Sequence, residues 1–300
     1  MPAQPEIEAY LNFVADRLDL RRDIRFNTDV TAMTFDEDTA TWTLHTNTGG
    51  ETFTAPPFVV AASGILSVPL EPDIPPGMDT FAGQSLFTSR WPENGFDLSG
   101  KRVGVIGTGS TGVQMIPVIA REVEQLFVFQ RSPAFTLPWE VRRFEAGELD
   151  EMKANYGEIR EAQRQHPVGA ARLSAFSVLI DMLVSPPTKT ASREEQLRAV
   201  EERGVMGALN WGGDIFFDIK ANRMATALYG EAIARIVDDP DTAAALVPSH
   251  PFGCKRPIID QGYYETYNRD NVTLVDLRKD PIRTVDQDGI STQLSTTTSM

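Results

Sequence analysis

The feature that most constrains this chain is a glycine pattern between two apolar segments. The segment "KRVGVI" leads into Gly107, Gly109 and Gly112, a helical pattern follows in "VQMIPVIAREV", and "QLFVFQRS" comes next. A strand, a glycine turn, a helix and a second strand make a βαβ unit, whose two strands pair in parallel. The sequence therefore predicts an α/β fold built on a parallel sheet.

The run Gly107-Thr108-Gly109-Ser110-Thr111-Gly112 matches the dinucleotide-binding pattern G-x-G-x-x-G. The first glycine permits a tight turn, the second lets a pyrophosphate approach the backbone, and the third lets the helix pack closely on the strand. The helix N-terminus supplies free N–H groups and a positive dipole end for the phosphate. We predict that these residues bind a dinucleotide in a Rossmann-like domain. A glycine-rich turn that binds nothing is the alternative.

The end of the second strand indicates which dinucleotide is bound. An NAD site places Asp or Glu there, about 20 residues after the first glycine, to accept a hydrogen bond from the ribose 2′-hydroxyl. This chain has Arg131 and Ser132 instead. A guanidinium fork and a hydroxyl match the geometry of a 2′-phosphate, so NADP(H) is favoured over NAD(H). The alternative is that Arg131 is a solvated residue at the end of a strand.

Other elements are predicted on both sides of this unit. An amphipathic helix is indicated by Ile7, Tyr10, Leu11, Val14 and Leu18, which share one face. A small antiparallel meander and a buried strand over 58–62 should follow. Residues 139–248 are predicted to be mostly helical, with the last helix ending at "DDP", and "NVTLVDL" and "DPIRTVDQDG" predict a strand and a hairpin arm. The final "GISTQLSTTTSM" shows no apolar periodicity.

Charge and cysteine content narrow the classes of partner. The formal net charge is −14, which argues against nucleic acid or an anionic membrane as a partner. The one cysteine, Cys254, is compatible with a reducing cytoplasm, where we expect the protein to reside. No segment is apolar enough to predict a membrane span or a signal peptide.

No metal site or nucleophile is predicted. His45, His166 and His250 are scattered without metal-ligand spacing, and no G-x-S-x-G nucleophile elbow is present. Lys255 and Arg256 stand side by side in "GCKRP", and on local grounds such a pair in a loop is more often solvated surface than a site.

Several motifs together resemble one enzyme family. The segments "PEIEAYLNFVADRLDLRRDIRFNT", "FAGQSLFTSRWP", "KRVGVIGTGSTGVQ", "LFVFQRSP", "PFGCKRPIID" and "YYETYNRDNVTLVD" occur in this order. Their order resembles that of the flavin-dependent Baeyer–Villiger monooxygenases of the cyclohexanone and phenylacetone monooxygenase group. The resemblance runs from about residue 4 to about residue 290 and is weakest in the helical part.

The resemblance implies cofactors, a reaction and roles for particular residues. Such enzymes use NADPH to reduce FAD, and a peroxyflavin formed with O₂ then attacks a ketone to give an ester or lactone. The glycine run would bind the NADPH pyrophosphate, and Arg131, Ser132 and Lys255 would bind the 2′-phosphate. Arg256 would be the active-site arginine, whose fixed guanidinium stabilises developing negative charge.

Two departures from the family pattern stand out. The family's N-terminal FAD-binding G-x-G-x-x-G and its later "ATGFD"-like segment have no counterpart here, so we expect an internal fragment of a longer protein. The family fingerprint F-x-G-x-x-x-H-x-x-x-W is matched at Phe81, Gly83 and Trp91, but its histidine position holds Phe87. A phenyl ring packs but neither titrates nor accepts a hydrogen bond as imidazole does. Phe81 and Trp91 are expected to anchor this connector.

We therefore predict four regions. Residues 1–64 would be a remnant of an FAD-binding Rossmann-like domain, and 65–138 an NADP-binding domain that includes the fingerprint. Residues 139–249 would be a helical insert, and 250–300 a return to the NADP-binding domain. Two alternatives to a Baeyer–Villiger enzyme stay open, namely a flavin monooxygenase that oxygenates nitrogen or sulfur, and a non-catalytic NADP-binding module.

Overall fold

The structure is a computed structural model. It describes residues 4–48, 52–55, 57–64, 68–69, 75–138, 144–165, 192–204, 207, 213–216, 218–294 and 298–299. The chain divides into two compact units, Met1–Glu71 and Pro72–Met300. The glycine pattern lies in the second unit.

In the described part of the first unit there are one α-helix and a three-stranded antiparallel sheet. Its elements are α1 (Gln4–Arg17), a 3₁₀ turn (Leu20–Asp23), β1 (Val30–Asp36), β2 (Thr41–Thr46) and β3 (Thr52–Ala55), and β2 is the central strand. Phe35 and Trp42 face each other across β1 and β2 with ring centroids 5.1 Å apart. The predicted helix and antiparallel meander are confirmed.

The predicted buried strand over 58–62 is wrong. The structure has no strand there, and Phe58 and Val60 are 88% and 87% exposed. The Ala62 amide donates to the carbonyl oxygen of Val60 at 3.0 Å, a local bond in place of a ladder bond. An apolar run forms a strand only when a neighbouring strand takes up its backbone groups, and no described strand pairs with this segment.

The second unit holds the remaining elements. In chain order they are β4 (Arg102–Ile106), α2 (Ser110–Ile119), β5 (Gln125–Gln130), β6 (Thr136–Pro138), α3 (Glu148–Ala154), α4 (Tyr156–Gln165), α5 (Arg193–Arg203), α6 (Ile219–Ile236), α7 (Pro240–Leu246), β7 (Ile258–Asp260), α8 (Tyr263–Thr266), β8 (Val272–Asp276), β9 (Ile282–Asp286), β10 (Gly289–Thr292) and β11 (Thr298–Ser299). Short 3₁₀ helices lie at Met78–Thr80, Thr88–Arg90 and Gly213–Phe216.

The centre of the second unit is the predicted βαβ unit. β4 and β5 pair in parallel, and β8 pairs in parallel with the other side of β5, giving the order β4-β5-β8. Val113 and Ile116 of α2 belong to the same buried core as Leu126 and Val128 of β5. The predicted α/β class with a parallel sheet is confirmed.

Helices dominate the described residues between β6 and β7, as predicted. α6 ends at Ile236, just before the "DDP" sequence, and Pro240 then begins α7. Asp239 caps α7 because its carboxylate accepts from the Thr242 amide at 2.8 Å. His166 lies outside the described residues.

Two smaller sheets complete this unit. β6 and β7 pair in parallel, and β9, β10 and β11 form an antiparallel sheet. The predicted strand and hairpin arm are β8 and β9. The first residues of "GISTQLSTTTSM" form β10 and bury Ile290, although the segment lacks apolar periodicity. Among the described residues, no helix combines the length and the apolar character needed to cross a membrane.

Candidate dinucleotide-binding site

The glycine loop has the geometry that a bound pyrophosphate requires. Gly107 turns the chain with φ +106°, a conformation that L side chains rarely adopt. A Cβ on Gly112 would lie 2.4 Å from the carbonyl oxygen of Gly107, so only glycine lets α2 approach the end of β4 this closely. Gly109, by contrast, faces open space, since a Cβ there would meet nothing within 4 Å. The backbone is thus accessible where a phosphate would approach.

A cleft of about 190 Å³ opens in front of this loop. Its lining residues are Thr88, Val105, Ile106, Gly107, Gly109, Ser110, Thr111, Gly112 and Met115. α2 begins at Ser110, so its unpaired N–H groups and positive dipole end are at the cleft. The arrangement suits an anionic group of about the size of a phosphate.

Thr108 has a structural role within the loop. Its side chain is buried, and its hydroxyl donates to the carbonyl oxygen of Ser132 at 3.1 Å. Thr108 also interacts with the hydroxyl of Tyr263. Burial raises the pKa of the Tyr263 phenol, and the interaction with Thr108 partly offsets that rise. Thr108 therefore ties the glycine loop to the end of β5 rather than facing the cleft.

Arg131 and Ser132 directly follow β5, where the sequence places them, and both are exposed. The Arg131 guanidinium makes no hydrogen bond or ion pair with any described residue. An exposed cation without a partner at the end of this strand is available to a phosphate.

The pairing of β6 with β7 brings Lys255 and Arg256 to the same region. In the parallel register Thr136 is opposite Ile258, and the Ile258 amide donates to the carbonyl oxygen of Phe135 at 2.9 Å. The residues just before the two strands therefore leave the same end of this small sheet. Arg131 precedes β6 and Lys255 precedes β7 by a few residues, so both cations lie on segments that enter this end of the small sheet. Lys255 and Arg256 are exposed.

His250 lies next to this loop, against the aromatic core. Its ring meets Phe135 edge to face with centroids 5.4 Å apart, and Nε2 is buried without a hydrogen-bond partner among the described residues. Burial, and then the positive charge of Lys255, lower the pKa of His250. Cys254 is exposed in the same loop.

The fingerprint segment, residues 81–91, is anchored mainly through Phe81. The Phe81 ring packs against the small core formed by Phe129, Val285 and Ile290, and a Cβ on Gly83 would lie 2.4 Å from that ring. Phe81 and Gly83 are thus a matched pair. Phe87 is half-buried, and Trp91 stays 39% exposed, so Phe81 anchors the segment more firmly than Trp91.

Sequence reasoning missed Thr88, which lines the cleft from within the fingerprint segment. It also missed a buried cluster around β6 and β7, formed by Thr136, Tyr229, Asp260 and Tyr264. The density of tyrosines in "YYETY" is the one sequence signal for this cluster. Within the described residues no three His, Cys, Asp or Glu side chains are grouped as a metal site would need.

Comparisons with known proteins place these features in context. A family model described as "Flavin-binding monooxygenase-like" matches residues 3–149. A Baeyer–Villiger monooxygenase from Pseudooceanicola batsensis is 40% identical over 294 residues, which cover 96% of this chain and 51% of the relative. A phenazine N-monooxygenase from Lysobacter antibioticus is 38% identical over 299 residues, covering 97% of this chain and 52% of the relative.

A solved structure supports the same relationship. Oxidised steroid monooxygenase bound to NADP superposes with a TM-score of 0.81 at 43% identity, covering 99% of this chain and 55% of that chain. The chain thus spans about half the length of the curated relatives it matches.

Proposed function

We propose that the chain belongs to the flavin-dependent monooxygenases of the Baeyer–Villiger group, and that it binds NADPH and serves an NADPH- and FAD-dependent oxygenation of a ketone. One oxygen atom from O₂ is inserted next to the carbonyl carbon, which gives an ester or a lactone. The substrate is a ketone, and the single cysteine suits a cytoplasmic location.

The observation that carries the NADPH assignment is the position of the Arg131–Ser132 segment beside an open glycine loop, to which the bond from Thr108 to Ser132 ties it. The loop and the N-terminus of α2 are complementary to a pyrophosphate, and Arg131 stands at the end of β5 without a partner among the described residues. Arg131, Ser132 and Lys255 suit the 2′-phosphate, which NADPH carries and FAD lacks. We therefore assign this cleft to NADPH.

The residues of the chain bind and orient rather than react. Gly107 and Gly109 leave the backbone open to the pyrophosphate, Gly112 lets α2 pack closely behind the loop, and Arg131 with Lys255 fixes the adenosine end. A flavin, when bound, would supply the oxygen chemistry, and the residues of this chain would bind and orient the nucleotide. Arg256, next to Lys255, is the cation we assign to stabilising negative charge at the reacting carbonyl.

Nucleotide titration of the purified chain tests the assignment. NADPH should bind more tightly than NADH, and Arg131→Ala should weaken NADPH binding by about 10-fold or more because a charge-assisted hydrogen bond to the phosphate is lost. NADH binding should stay within about twofold, since NADH has no 2′-phosphate. Arg121→Ala, an exposed cation beyond the far end of α2, is the matched control and should change neither. Equal affinities for both nucleotides in the unmodified chain would refute the proposal.

Nitrogen oxygenation is the second candidate, and the 38% identical phenazine N-monooxygenase is the observation that favours it. The two are separated by supplying FAD and NADPH with a cyclic ketone or with an aromatic N-heterocycle and identifying the products. Lactone from the ketone supports the proposal. N-oxide alone would establish the second candidate, and NADPH binding without either product would leave a nucleotide-binding module.

A further inference from the structure

Two backbone segments carry the residues proposed for the 2′-phosphate. The first segment, residues 131–136, runs from Arg131 into β6, and the second segment, residues 252–257, runs through Lys255 toward β7. Neither cation has a hydrogen bond or ion pair with another described residue, so their placement depends on what holds the two backbones. The inference below rests on the proposed NADPH site.

Helix α6 holds the first segment through Tyr229. The Tyr229 hydroxyl accepts from the Thr136 amide at 2.7 Å, and its ring lies 5.2 Å from that of Phe135. The hydroxyl of Tyr264 lies 2.7 Å from that of Tyr229. All of these side chains are buried, so removing the Tyr229 hydroxyl leaves the Thr136 amide without a partner.

The same helix holds the second segment through Asn222. Its Oδ1 accepts from the Phe252 amide at 3.0 Å, and its Nδ2 donates to the carbonyl oxygen of Phe252 at 2.9 Å. Nδ2 also donates to the carbonyl oxygen of Ile215 at 2.7 Å. The side chain therefore binds both polar groups of Phe252, three residues before Lys255.

Asn222 and Tyr229 lie two turns apart on one face of α6. Each side chain bonds a backbone group within a few residues of Arg131 or Lys255. Because both belong to one helix, the backbones of Thr136 and Phe252 are held at a constant separation. We propose that Asn222 and Tyr229 are positioning residues that set the spacing of Arg131 and Lys255, so that α6 determines the preference for NADPH over NADH.

The test measures the ratio of NADPH to NADH affinity in the full chain. Tyr229→Phe keeps the ring and removes the hydroxyl, and it should lower the ratio by about fivefold or more while NADH affinity stays within about twofold. Tyr267→Phe is the matched control, because it removes another buried hydroxyl, which among the described residues bonds only to that of Tyr263, at 2.7 Å. The control should lose stability without changing the ratio. If Tyr229→Phe does not fold, Tyr264→Phe should lower the ratio in the same direction.

A double substitution separates this inference from the proposed function. In an Arg131→Ala background the ratio has already fallen, so adding Tyr229→Phe should not lower it further. A further fall of the same size would overturn the inference, as would an unchanged ratio in Tyr229→Phe when Arg131→Ala alone lowers it. If Arg131→Ala leaves the ratio unchanged, the proposed NADPH site itself fails.

Discussion

At the scale of single residues, two glycines of the loop have different roles. Gly112 is required for packing, whereas Gly109 keeps the backbone open for binding. A methyl group on Gly112 would collide with the carbonyl oxygen of Gly107, whereas one on Gly109 would project into open space. Gly112→Ala should lower the free energy of unfolding by about 1–3 kcal/mol, the usual effect of overpacking. Gly109→Ala should change it by no more than about 0.5 kcal/mol but weaken both NADPH and NADH binding. Urea unfolding and nucleotide titration measure the two effects. Normal binding in Gly109→Ala would contradict the cleft assignment.

The buried tyrosines make stability depend on alkaline pH. Burial raises the pKa of Tyr229 to about 12, and burial also raises the pKa of Tyr264 well above its usual value. An unfolded tyrosine has a pKa of about 10, so the unfolded chain loses these protons first. The stabilisation is complete below about pH 10 and is lost as pH rises toward the folded pKa, at up to about 1.4 kcal/mol per pH unit for each group.

Urea unfolding at pH 9, 10 and 11 checks this expectation. The free energy of unfolding should fall across the series, and the fall should be shallower in Tyr229→Phe because one titrating group is removed. Identical slopes in the two proteins would mean that the Tyr229 hydroxyl is not buried in the folded state.

At the scale of secondary-structure elements, local sequence patterns predicted an element correctly where the element it packs or pairs with lies nearby in sequence. The βαβ unit, the antiparallel meander and α6 follow from apolar periodicity and from turn residues such as Gly107. The strand predicted over 58–62 is wrong because its pattern indicates an apolar segment but not which strand would pair with it. Periodicity carries no information about a distant neighbour.

The pairing of β6 with β7 is a second contact that local sequence patterns could not predict. Each strand has three residues, and more than a hundred residues separate Thr136 from its partner Ile258. Nothing in either stretch indicates the other, yet this pairing joins the two segments that carry Arg131 and Lys255. The candidate residues were therefore proposed from motifs and α6 was predicted as a helix, whereas the contacts of α6 with the segments that carry those residues could not be predicted. Asn222 in α6 illustrates this, since its role depends on Phe252 across the fold.

At the scale of the whole molecule, the two units differ in packing. The second unit contains the main buried core, whereas no apolar side chain is buried among the described residues of Met1–Glu71. Tyr10, Leu11 and Phe13 of α1 are each more than half exposed. Exposed apolar side chains close together on one helix favour binding to other apolar groups, while the net charge of −14 opposes association between copies at low salt.

This balance predicts salt-dependent association of the purified chain. The chain should bind the apolar dye ANS, and sedimentation velocity should show larger species as ionic strength rises, because screening shortens the Debye length to about 3 Å at 1 M salt. Leu11→Gln combined with Phe13→Gln should reduce both effects and leave NADPH affinity unchanged, since the nucleotide cleft lies in the other unit. Met224→Gln is the control: that side chain is 67% exposed on α6, and a single exposed apolar residue is ordinary. Unchanged dye binding in the double variant would show that the α1 surface is covered in solution.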